Sequence, residues 1–128
     1  MIIRIDTVST TPIYVQLRNE IVKGIGRGEL SEGECLPTVR QLAADLGVNS
    51  MTVSKAYQTL KAEGFIETDR RRGAIVRSGV QSGAQPDDRF REKLEGELEL
   101  LSAEAKIKGL GREEFIHLCS VAFAGMEG

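Results

Sequence analysis

Gly47-Val48-Asn49 joins two short helical patterns, and that junction constrains the fold more than any other part of the chain. Before it, Val39, Leu42, Ala43 and Leu46 recur at helical spacing, so a helix over 39–46 buries one face. Thr38 stands just ahead with Gln41 three residues on, the pair that satisfies backbone N–H groups reciprocally in a capping box. Gly47 sits where a helix closes through a left-handed residue. After the junction, Val53, Ala56, Tyr57 and Leu60 make a second stripe. They predict a helix over 51–63, capped by Asn49 or Ser50 and ended by Gly64. Two short helices across so tight a turn form a helix-turn-helix.

The flanks complete a small domain. Tyr14, Leu17, Ile21 and Ile25 share one face of an earlier helix that begins after Thr11-Pro12 and ends in the glycines at 24, 26 and 28. Residues 30–37 read as a turn. Residues 65–68 and 74–76 are short strand candidates around Asp69-Arg70-Arg71-Arg72-Gly73, a hairpin with a basic tip. The expected fold is mainly α with a small β-hairpin wing: a winged helix-turn-helix over 1–78.

Ser78, Gly79, Ser82, Gly83 and Pro86 mark a change of composition without apolar periodicity, read as a linker over 79–88. Residues 89–128 then resume helical spacing. Phe90, Leu94, Leu98, Leu101 and Ala105 stripe one helix, and Phe115, Ile116, Leu118, Cys119, Ala122 and Phe123 supply a second. Lys108-Gly109-Leu110-Gly111 breaks them, and Glu113 and Glu114 suit the first turn of the second helix. Two amphipathic helices on a linker cannot bury both stripes alone, so a short C-terminal helical dimerisation segment is expected. The alternative is a tail that packs on its own winged helix.

The net charge of −2 over 128 residues by itself argues against nucleic acid. Its distribution argues the other way: residues 1–80 hold eleven Lys/Arg against nine Asp/Glu, and residues 81–128 hold six against ten. A basic first part and an acidic second part favour DNA only weakly. Enzyme chemistry lacks its parts. His117 is the one histidine, and its neighbours Glu113, Glu114 and Cys119 are not read as completing a ligand set around it, so no metal or other cofactor is expected. The glycines at 24–28 follow no strand and open no helix, unlike a phosphate loop. Cys35 and Cys119, far apart, read as free thiols. No apolar run reaches membrane-spanning length and residues 1–6 show no leader pattern, so a cytoplasmic protein is expected.

A recognition helix presents its N-terminal residues to base edges in the major groove. Those positions are Asn49, Ser50, Met51, Thr52, Ser54 and Lys55. Hydroxyls can exchange hydrogen bonds with bases or phosphates. A thymine methyl can pack on Met51 or Thr52, and Lys55 can reach guanine or phosphate. Lys55 is expected to read a base edge. Arg40, at the start of the preceding helix, lies where that helix crosses the DNA backbone. Arg70, Arg71 and Arg72 are expected to lie along the backbone or minor groove. The alternative is a winged helix that serves protein partners without DNA.

The ordered run Ile13-Tyr14-Val15-Gln16-Leu17, then Leu36-Pro37-Thr38-Val39-Arg40-Gln41-Leu42-Ala43, then Val48 to Tyr57 and Leu60 to Ile66, resembles the N-terminal domain of GntR-type regulators. The resemblance covers residues 12–76. It implies DNA contacts at Arg40, at the start of the recognition helix and at the wing glycine Gly73. The short tail resembles the YtrA-like branch, which implies a homodimer on a palindromic operator, repressing a transporter operon. Two departures stand out. The wing reads Arg71-Arg72-Gly73-Ala74 where the family has Gly-x-Gly-Thr, and position 54 is serine where some members carry arginine.

Overall fold

The computed structural model describes residues 3–77 and 87–127. The chain divides into two units, Met1–Ser78 and Gly79–Gly128. Most of the expected linker lies outside the described residues. Its last two residues do not: Asp87 caps a helix that begins at Asp88, its side chain accepting a 2.8 Å hydrogen bond from the Phe90 N–H. The helix thus begins at Asp88, the last residue of the range read as linker.

In the first unit the order is α1 (Ile13–Gly26), α2 (Val39–Leu46), α3 (Ser50–Ala62), β1 (Ile66–Asp69) and β2 (Gly73–Val76). The capping box forms as expected: Thr38 accepts from the Gln41 N–H, and the Gln41 side chain accepts from the Thr38 N–H. Gly47 closes α2 in the left-handed region at φ 68°. Asn49 rather than Ser50 caps α3, accepting at 2.7 Å from the Met51 N–H, so Ser50 joins the helix. Leu17, Ile21, Val53, Ala56 and Leu60 are fully buried where α1 and α3 pack, and Leu42 and Ala43 bring α2 onto them.

Helix α1 ends at Gly26, within the glycines expected to end it; Gly24, inside the helix, is buried, and a Cβ there would stand 3.2 Å from Leu30 Cδ1. Two local details depart from the sequence reading. Phe65 is not in a strand. Its N–H closes α3 by donating to the Leu60 carbonyl, next to Gly64 at φ 85°. The segment read as a turn before α2 also pairs with β2: Cys35 bridges Ile75, and Leu36 N–H donates to the Ala74 carbonyl at 2.9 Å. One edge of β2 pairs with β1 within the wing, and the other ties the wing to the domain by backbone hydrogen bonds.

Long-range side-chain contacts lock this arrangement. Arg18 of α1 makes a two-pronged ion pair with Glu63 beyond α3, both contacts at 2.9 Å, and its guanidinium lies 5.4 Å from the Phe65 ring centre. The Tyr57 hydroxyl donates to the Pro37 carbonyl at 2.7 Å, tying α3 to the approach to α2. Tyr57→Phe should cost about 1 kcal/mol in urea unfolding, because the Pro37 carbonyl loses its partner. Burial pushes the Tyr57 phenol up from 10.0 to about 12. The folded form therefore keeps its proton longer than the unfolded chain, so this contribution is intact below pH 10 and disappears as pH rises from 10 to 12. Tyr57→Phe should remove that alkaline decline; an unchanged pH profile would mean the phenol titrates alike in both states.

In the second unit α4 (Asp88–Ile107) and α5 (Arg112–Ala124) are joined through Gly109 at φ 88°. Neither helix has a buried residue. Among the described residues no helix is long and apolar enough to cross a membrane.

Candidate nucleic-acid interface

Arg40 is the second residue of α2 and is exposed. It forms no ion pair among the described residues. The stripe of Val53, Ala56, Tyr57 and Leu60 buries one side of α3 and turns the other outward. On that outer side Ser50 and Lys55 are exposed and Thr52 and Ser54 half-buried. Met51 is 79% exposed, an unusual outlay for a large apolar side chain at a helix start. Asn49 spends its side-chain oxygen on the cap, which leaves its amide nitrogen for another partner.

Two grooves flank this face. One lies between the start of α1 and α3, lined by Pro12, Ile13 and Tyr14 on one wall and Met51, Lys55 and Gln58 on the other. The second runs between α3 and the wing and brings Ser54 and Gln58 together with Thr68, Arg72 and Gly73. Gln58, absent from the sequence reading, lines both. Its position, four residues after Ser54 on the same face, was the available signal. The Gln58 amide donates to the Ser54 hydroxyl at 3.3 Å. The Lys55 ammonium stands 4.1 Å from the centre of the Tyr14 ring. Nothing in the sequence shows that pairing, because residues 14 and 55 meet only when α1 packs on α3.

The wing tip differs from a simple run of three free cations. Asp69 accepts from the backbone N–H of Arg71 at 2.7 Å and of Arg72 at 3.2 Å, and its other oxygen lies 3.5 Å from the Arg72 guanidinium. These donors, the Arg71 N–H foremost, hold its carboxyl below the usual range. Arg72 therefore shares its charge with Asp69, while Arg70 and Arg71 form no ion pair among the described residues. Residues 70–72 form the turn and Gly73 follows at φ 78°, in the left-handed region where glycine carries no Cβ penalty. Gly73 thus suits the turn by its backbone conformation, whatever it touches.

The sequence over residues 11–76 matches the family model described as bacterial regulatory proteins, gntR family. The chain is 41% identical over 80 residues to the HTH-type transcriptional repressor YtrA of Bacillus subtilis, covering 62% of each protein, so the match spans less than two thirds of that relative. A transcriptional antiterminator from Listeria monocytogenes EGD-e has a similar structure, with a TM-score of 0.88 at 28% identity over all of this chain and 94% of that one. YtrA from Sulfolobus acidocaldarius, a GntR-family transcription factor, gives 0.66 at 40% identity over 80% of this chain and 99% of its own. The AraR DNA-binding domain in complex with operator ORX1 gives 0.51 at 27% identity, over 56% and 88% of the two chains.

Proposed function

The chain belongs to the GntR family of bacterial regulatory proteins, in its YtrA-like branch, and on that premise we propose that it binds double-stranded DNA as a homodimer at a palindromic operator. Its role in this reading is transcriptional repression in the cytoplasm, of a transporter operon as the resemblance implies. The members it resembles are regulators and not enzymes. The observation that carries the reading is the outward side of α3, continuous through one groove with the wing. Ser50, Met51 and Thr52 on the first turn of α3, and Ser54 at the start of the next, would meet base edges, with the Asn49 amide beside them. Arg40 and the wing residues Arg70, Arg71, Arg72 and Gly73 would follow the backbone. A similar domain in complex with its operator supports DNA as the ligand.

The tail supplies the second half of the proposal. Phe90, Leu94, Leu98 and Leu101 lie along one face of α4 and are 45%, 42%, 40% and 53% exposed. Leu101, Ala105, Phe115, Leu118, Cys119 and Ala122 line an open apolar groove between α4 and α5. Leu100, Ile107 and Val121 add exposed apolar surface that the stripes read from sequence leave out. So much apolar area on a chain of this size marks a contact surface. A second copy presenting the same stripes covers it symmetrically.

Binding of the full chain to a duplex selected from a random-sequence library, repeated across a salt series, tests this. Specific binding that falls steeply with salt is expected. Failure to select any sequence would leave the reading as a protein-interaction module, which the net charge of −2 and the Asp69–Arg72 pairing favour. Met51→Ala should weaken the preference for thymine at one position of each half-site, by about 0.8 kcal/mol for one buried methyl, without lowering thermal stability. A uniform loss across all single-base variants would take Met51 out of the reading role.

A further inference from the structure

We propose that Tyr14 is a positioning residue of this interface: its ring holds the Lys55 ammonium at the flank of α3, where it meets a backbone phosphate and not a base edge. The proposal rests on the DNA-binding reading above and departs from the expectation that Lys55 reads sequence.

Three observations carry it. The first is the cation–ring geometry itself, 4.1 Å from ammonium to ring centre, well inside the range in which a ring face attracts a cation. The second is the absence of a competitor, since Lys55 forms no ion pair among the described residues. The third is location. Tyr14 is the second residue of α1, half-buried and packed against the core, so its ring is a fixed platform. The four-carbon stem of Lys55 crosses the groove between α3 and the start of α1 to reach that platform.

The consequence follows from how a helix sits in a major groove. Its first turn faces base edges, and its flanks face the two sugar-phosphate strands. An ammonium drawn sideways from the second turn of α3 toward α1 is displaced from the first and brought to the second. The start of α1 reinforces this. No side chain caps it and its first turn holds no acidic residue, so its free N–H groups face the same phosphate that Lys55 would meet, although they oppose the ammonium itself. Holding the ammonium in place also removes the rotamer freedom that a free lysine would lose on meeting DNA. Tyr14 therefore contributes to affinity without touching the ligand.

The test uses the full chain and a duplex selected from a random-sequence library, together with its single-base variants, at several salt concentrations. Wild-type chain that selects no duplex would overturn the DNA-binding reading itself, a failure separate from that of the present proposal. Given wild-type binding, Lys55→Met should weaken every base variant by the same factor and flatten the salt dependence by about one unit. Tyr14→Leu should weaken binding by about two- to fivefold, and Tyr14→Phe, which keeps the ring, should bind like wild type. In the Lys55→Met background Tyr14→Leu should have no further effect. Independent losses in the double variant, or a Lys55→Met chain that reorders base preferences, would overturn the assignment. Should Tyr14→Leu fail to fold, the free protein still decides. The Lys55 methylene protons beside the ammonium should be shifted upfield by the ring current, and unshifted protons would overturn the platform.

Discussion

Arg40→Ala should lower affinity for operator DNA by roughly five- to a hundredfold, equivalent to about 1–3 kcal/mol, while the fold becomes no less stable. The second half of that expectation distinguishes it from ordinary damage. Arg40 is exposed, forms no ion pair among the described residues, and sits in the first turn of α2, where no acidic residue offsets it. A cation near a helix N-terminus opposes the helix dipole, at about 0.3–1 kcal/mol, and alanine is the better helix former. Removing the guanidinium should therefore leave thermal unfolding unchanged or move it slightly upward. Arg40→Lys should recover the charge but not the two-pronged grip on phosphate, and so bind between the two. Fluorescence anisotropy with labelled duplex, paired with thermal unfolding of the same samples, gives both readings. Loss of binding accompanied by a lower melting temperature would make Arg40 a folding residue, and unaltered binding would place the DNA elsewhere.

Residues 1–80 alone should fold, sediment as a monomer and bind a full palindrome on the order of a hundredfold more weakly than the intact chain. Folding is expected because the buried core, from Leu17 to Val76, lies within the first unit, and the two tail helices bury none of their residues. Losing the tail thus removes no core. What it removes is the link between two half-site contacts, so the second contact no longer follows the first at high local concentration. Sedimentation of the fragment and of the intact chain, set beside their affinities for whole and half palindromes, decides the matter. A fragment that still dimerises would move the interface into the winged helix. A monomeric fragment that binds the palindrome as tightly as the intact chain would leave the tail's apolar surface without a role in DNA binding.

Much of the fold was legible because its signals are local. The capping box at Thr38 and Gln41, the glycine closing α2 and the stripe of α3 each involve residues within a turn or two of one another, and all appear as read. Local hydrogen bonding and side-chain periodicity act at that range whatever the rest of the chain does. The same reading named the outward residues of α3, since a stripe that faces the core leaves only the other side for a ligand. The glycine run ends α1 as expected, at Gly26, and only the closeness of Leu30 shows that Gly24 also lets a neighbour approach. An error fell where a local pattern had two uses. A Phe-Ile pair after a helix begins a strand or closes the helix, and the hydrogen bond to Leu60 decides for Phe65.

The contacts that shape the candidate site join residues far apart in sequence. Tyr57 reaches Pro37, Cys35 pairs with Ile75, and Lys55 lies over Tyr14. Each needs the helices already packed, and no periodicity in the chain encodes which side chains then meet. The sequence by itself determined the helix-turn-helix, the capping box and closing glycine of α2, and the inward and outward sides of α2 and α3. The tertiary structure decided where the outward charges come to rest. An ammonium on a four-carbon stem can settle on any partner within reach, and that choice is made only when α1 and α3 come together.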